Sequence, residues 1–258
     1  MKSKTETFAT MMESFAYRYD LRATFDDLLT MSMCAVTQIP GAGKSHYEDL
    51  YLQTVAKYNT DDLRFHFPKV FARLTVEMEE RLDVGSGNDV LGDFYEQNFC
   101  RKNSGQFFTP WPICRFMAQI VCGDVKESEE TMRILDPCCG SGRMLLAGSK
   151  VAGPAHEYYG IDIDHTCVKM TALNLFLNGR FHSEVMWGDA LSPGDFRISY
   201  AISFLPLGIF RIENKEESKL WHLHKNSFER KSEVAKPAVA FISEDIKQTG
   251  PASQLKLF

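Results

Sequence analysis

Ile134-Leu135-Asp136-Pro137-Cys138-Cys139-Gly140-Ser141-Gly142 decides the fold of this 258-residue chain. An apolar strand ends on an acid and opens into a glycine turn, and a helical pattern follows at Met144, Leu145, Leu146 and Ala147. Glycines let the backbone approach a ligand closely, and the start of a helix presents free N–H groups. This is how α/β folds hold a nucleotide-like cofactor.

Working outward, further strands are expected at 157–162, 184–188, 197–203 and 238–242, beside the one at 132–136. Between the second and third lies a helix with Val168, Ala172, Leu175 and Phe176 on one side, closed by Asn178-Gly179. Upstream, Thr109-Pro110 reads as a helix start, followed by an apolar stripe of Ile113, Phe116, Met117, Ile120 and Val121. The alternation over 105–243 predicts an α/β fold, a parallel sheet with helices on both faces and ligands at the carboxyl ends of its strands.

Residues 1–104 read as a helical region. Its clearest stretch has Phe67, Val70, Phe71, Leu74, Met78 and Leu82 at helical spacing, with Lys69, Arg73, Glu77, Glu80 and Arg81 facing away. Gly41-Ala42-Gly43-Lys44-Ser45 falls short of a phosphate loop. Gln38 stands where the first glycine belongs, and the residues before it look helical. An interhelical turn is the expectation there. Residues 244–258 read as a polar, flexible tail.

A hydrophobic fraction of 44% supports a sizeable core, so a globular chain is expected. No apolar run reaches the roughly 20 residues that cross a bilayer, and the first residues lack a secretory core. The seven cysteines form no C-x-x-C pair, which argues against a zinc site and for reduced thiols in the cytoplasm. His222 and His224 are expected at the surface, with no third ligand for a metal. A net charge of −5 is poor for gripping DNA unaided.

Three carboxylates close three successive strands: Asp136, Asp162 and Asp189. An acid after a second strand can accept both hydroxyls of a ribose, and Asp162 follows the glycine turn by the usual interval. An acid after the third can accept from an adenine amino group.

Gly105-Gln106-Phe107-Phe108-Thr109-Pro110, the 134–142 stretch, Tyr159-Gly160-Ile161-Asp162 and Gly188-Asp189-Ala190-Leu191 stand in the order of a known family. With Leu91-Gly92-Asp93-Phe94-Tyr95-Glu96 before them, the chain resembles the methylation subunits of type I restriction–modification systems over roughly residues 60–243. Those are S-adenosylmethionine-dependent adenine-N6 DNA methyltransferases with a Rossmann-like class I methyltransferase sheet. The resemblance implies that Thr109, Cys138, Gly140 and Gly142 hold the methionine end of S-adenosylmethionine and that Asp136 seats its amino group. Asp162 would bind the ribose, and Asp189 with Ala190 the adenine. It also implies DNA and a specificity or second methyltransferase subunit as partners.

In that family the fourth strand ends in Asn-Pro-Pro and an aromatic residue, which hold the adenine amino group and stack on the flipped base. The corresponding stretch here is Phe204-Leu205-Pro206-Leu207. Phe204 replaces the Asn, Pro206 is the catalytic position kept, and Ser203 could serve after a one-residue shift. The family's fold also continues with two further strands, so a truncated sheet is expected. Three readings stand: an active methyltransferase with an altered motif, a cofactor-binding partner subunit without activity, and a remnant that associates with other proteins. For the last, Gln254-Leu255-Lys256-Leu257-Phe258 resembles the short peptides by which bacterial proteins dock onto the replicative sliding clamp.

Overall fold

The computed structural model describes residues 6–37, 46–83, 87–100, 106–123, 130–192, 194–234 and 255–257. The expectations for Gly41–Ser45, for a strand at 238–242 and for most of the 244–258 tail lie outside these residues.

Among the described residues six α-helices precede the sheet: α1 (Phe8–Glu13), α2 (Leu21–Val36), α3 (His46–Val55), α4 (Phe67–Asp83), α5 (Val90–Phe99) and α6 (Trp111–Cys122). The periodicity of 67–82 gives α4 with Phe67, Val70, Leu74 and Met78 buried. Asp20 caps α2 through Ala23 N, and Asp89 caps α5 through Gly92 N, so each start satisfies a backbone donor. The helical part is not a separate layer. Phe25, Leu28, Leu29, Phe94 and Tyr95 share one hydrophobic core with Val168, Leu173 and Ile209.

The sheet has the order β5-β4-β3-β2-β1-β6. Strands β1 (Arg133–Asp136), β2 (Glu157–Asp162) and β3 (Ser183–Trp187) are parallel, joined through α7 (Arg143–Ala152) and α8 (His165–Leu177). These match the expected strands. Helix α8 is buried nearly all round, from Cys167 to Leu175, because it lies between the sheet and α2. Helix α9 (Lys219–Val234) covers the other face, where Leu220 and Trp221 meet Leu135, Tyr159, Ile161 and Met186.

Three expectations need correction. First, the sheet is mixed. Strands β4 (Ile198–Phe204) and β5 (Leu207–Ile212) are antiparallel to their neighbours. Only Leu205 and Pro206 separate them, which allows a hairpin and forbids a crossover. The connection from β3 to β4 likewise contains no helix among the described residues. Secondly, α6 turns the predicted stripe outward: Ile113, Phe116 and Ile120 are exposed, while Cys114, Ala118 and Cys122 are buried. Small side chains let α6 lie close against Ala147 of α7. Thirdly, Leu255–Leu257 forms β6, parallel to β1. For this segment to dock onto another protein it would have to leave the sheet.

No helix among the described residues is long and apolar enough to cross a membrane.

Candidate functional site

Because β1, β2 and β3 run parallel, their carboxyl ends lie side by side, and the loops that leave them enclose a cleft of about 570 Å³. That is within the ordinary range for a small-molecule site. Thr109, Asp136, Cys138, Gly140, Asp162, Asp189 and Ala190 all line it, as does Arg143.

The glycine turn works as its sequence suggests. Gly140 (φ +54°) and Gly142 (φ +83°) both take the left-handed conformation. A Cβ on Gly140 would come within 2.9 Å of the Phe108 ring. Gly142, however, does not line the cleft. It stands at the start of α7, where a Cβ would meet the Thr171 side chain at 2.9 Å. Its lack of a side chain there serves close packing of α7 on α8.

The three acids differ in their surroundings. Asp162 accepts from Gly140 N and from Asp164 N, each at 2.8 Å, so it ties the end of β2 to the glycine turn. Asp136 is buried and accepts from Cys138 N at 3.1 Å. Burial pushes its carboxyl up to about 6. Burial also raises Asp162 and the Cys138 thiol. Asp189 accepts from Leu191 N at 2.9 Å, and its own N–H donates to Asp195. An arriving cation would lower Asp136 again, since an opposite charge favours the carboxylate.

Residues that the motif reading did not assign complete the walls. Gln106, Phe107, Phe108, Ile163, Asp164 and Leu191 line the cleft. Ile163 and Leu191 are apolar and strongly exposed, which leaves two greasy surfaces at the rim. Asp164, two residues beyond Asp162, accepts from the Tyr95 hydroxyl at 2.9 Å and so joins α5 to the site. Phe108 stacks on Tyr95 with ring centroids 5.8 Å apart. His224 is buried, not exposed as expected, and its Nε2 lies 2.9 Å from the carbonyl of Ala190. His222 is at the surface, and among the described residues no cluster of acids, thiols and imidazoles could hold a metal ion.

The expected catalytic stretch is elsewhere. Strand β4 runs against β3, pairing Ile198 with Trp187 and Ile202 with Ser183. Phe204, Leu205, Pro206 and Leu207 therefore lie at the amino-terminal end of β3, where Phe204 meets Phe181. The cleft is at the other end. Neither Pro206 nor Phe204 nor Ser203 lines it, so the assignment of Pro206 as a catalytic position is withdrawn.

A family model described as N-6 DNA Methylase matches residues 86–249. The chain is 30% identical over 171 residues to the type I restriction enzyme MpnII methylase subunit of Mycoplasma pneumoniae, covering 61% of this chain and 30% of that protein. It is 30% identical over 126 residues to the type I restriction enzyme MjaVIII methylase subunit of Methanocaldococcus jannaschii, covering 45% of this chain and 21% of that protein. The chain thus spans less than a third of the length of either relative. A solved methyltransferase subunit of a type I restriction–modification system from Streptococcus thermophilus aligns with 72% of this chain and 57% of its own. That alignment has 16% identity and a TM-score of 0.39, a likeness too slight to bear on function.

Proposed function

The chain belongs to the N-6 DNA methylase family, and from that premise we propose that its strand-end cleft binds S-adenosylmethionine for adenine-N6 methylation of DNA. The observation that carries the reading is the convergence of three strand-end carboxylates and a left-handed glycine turn on one cleft. The ligand is cationic at its sulfonium and ammonium and anionic at one carboxylate, so acids beside backbone N–H donors suit both signs.

In this reading Asp136 takes the ammonium, Thr109 and the Cys138–Gly140 turn take the methionine end, and Asp162 takes the ribose hydroxyls. Asp189 and Ala190 take the adenine, with the apolar faces of Ile163 and Leu191 beside it. When bound, S-adenosylmethionine supplies an electrophilic methyl group. The protein's own part is to orient it and to exclude water with Phe107, Phe108 and Leu191.

Methyl transfer to adenine needs two hydrogen-bond acceptors for the amino group of the base. Phe204–Leu207 are remote from the cleft, so in this proposal those acceptors come from outside the described residues. The relatives are methylase subunits of type I restriction enzymes. By that analogy DNA is the substrate, and a further subunit provides grip that a chain of net charge −5 lacks.

Calorimetric titration of the full chain with S-adenosylmethionine tests the reading. A 1:1 complex with Kd near the micromolar range is expected, about −8 kcal/mol. A flat titration at millimolar ligand overturns it.

A further inference from the structure

We propose that Arg143 is a positioning residue that clamps the Gln106–Pro110 segment and helix α5 onto the glycine turn, presetting the shape of the cleft. The inference takes S-adenosylmethionine as the ligand of that cleft.

Arg143 is the first residue of α7, where the helix dipole makes a cation locally unfavourable. A residue that breaks a local rule is held there by something else. Its side chain is only 7% exposed. Nε donates to Asp89 at 2.9 Å, Nη2 donates to Asp93 at 2.9 Å, and Nη1 donates to the carbonyl of Thr109 at 3.2 Å. Glu96 adds a third carboxylate at 3.7 Å from Nη1, and the guanidinium lies 5.7 Å from the Phe108 ring centroid.

One side chain therefore spans three chain segments: the start of α5, the cleft wall at Phe108 and Thr109, and α7. Asp89 extends the grip. It also accepts from the hydroxyl of Ser141 and, at 2.8 Å, from the amide of Asn174 on α8. The Asn174 amide donates as well to the carbonyl of Ser141 at 2.8 Å. The glycine turn, between Cys139 and Gly142, is thereby fixed from behind, while Phe108 covers it from the front. Only a planar fork with several donors can reach Asp89, Asp93 and the Thr109 carbonyl together; a lysine ammonium cannot.

Arg143→Lys in the full chain tests this by two readouts. The first is hydrogen exchange of the ligand-free protein. Amides of Gly92, bonded to Asp89, and of Ile113 and Cys114, bonded to the Pro110 carbonyl, are expected to exchange at least about tenfold faster, while those inside β1–β3 keep wild-type rates. The second is titration with S-adenosylmethionine, with affinity expected to fall about 10- to 100-fold, the usual cost of losing charge-assisted hydrogen bonds. A folded Arg143→Lys protein with wild-type exchange at Gly92, Ile113 and Cys114 overturns the proposal. If that variant does not fold, Asp93→Asn serves, since its side chain is 40% exposed and it weakens one arm of the clamp, together with the Arg81–Asp93 pair. A smaller acceleration at the same amides is then expected, and unchanged rates overturn the proposal. A wild-type chain that takes up no S-adenosylmethionine removes the cofactor reading, while the exchange readout still decides the clamp.

Discussion

The two halves of this sheet invite comparison. In the parallel half, β1, β2 and β3 each end on or just before an acid, and helices return the chain so that all three ends face one cleft. In the antiparallel half, β4 and β5 form a hairpin whose tip, Phe204–Leu207, lies at the opposite end of the sheet. The first half carries motifs in the family's order, and the second carries Phe204-Leu205-Pro206-Leu207 where the next motif would fall. Only in the first does the connection preserve strand direction, and only there does order along the chain translate into place in a site.

The largest expected effect sharpens that contrast. Asp162→Ala removes the acceptor proposed for both ribose hydroxyls and the bonds to Gly140 N and Asp164 N. Affinity for S-adenosylmethionine is expected to fall about 100-fold or more by calorimetry. Wild-type affinity in a folded variant would remove Asp162 from the site.

A smaller effect comes from Asp136, whose folded-state carboxyl is raised to about 6 from its ordinary value of 3.8. A raised acid binds its proton more tightly when folded, so the wild type loses stability as pH rises from about 4 through 6. Asp136→Asn carries no charge and escapes that loss. The ligand-free variant is expected to melt a few degrees above wild type at pH 7.5, an upper bound of ~3 kcal/mol, and to match it near pH 4. Its cofactor affinity should fall about tenfold, because the ammonium loses its partner. Equal melting curves at both pH values would contradict the buried charge.

The smallest effect belongs to the hairpin. Phe204→Ala, at a ring already 58% exposed, is expected to leave cofactor affinity within about twofold of wild type. A loss of tenfold or more would break the division between the two halves.

What the sequence made legible follows the same line. The strands to either side of Gly140, the helices between them and the strand-end acids Asp136, Asp162 and Asp189 came from local pattern, while Thr109, Cys138 and Ala190, which line the same cleft, came from the family resemblance. Gly142 stands outside the cleft lining, and its left-handed turn and close approach to Thr171 leave the same sequence mark as contact with a ligand. The direction of β4 leaves no local mark; it follows from the ten residues between Trp187 and Ile198, too few for a helical crossover. Helix α6 faces the other way because Cys114, Ala118 and Cys122, with Trp111 beside them, make its packing face, and not Ile113, Phe116 and Ile120. The Asp89–Arg143 pair spans 54 positions, a distance over which periodicity and spacing carry no signal.

The central claim is most directly tested by titrating an isotope-labelled chain with S-adenosylmethionine and following backbone amide resonances. Shifts confined to Gly140, Asp162 and Leu191 and their neighbours, with Ile202–Ile209 unmoved, are the predicted result. Shifts centred on the Phe204–Leu207 hairpin, or none anywhere, would contradict it.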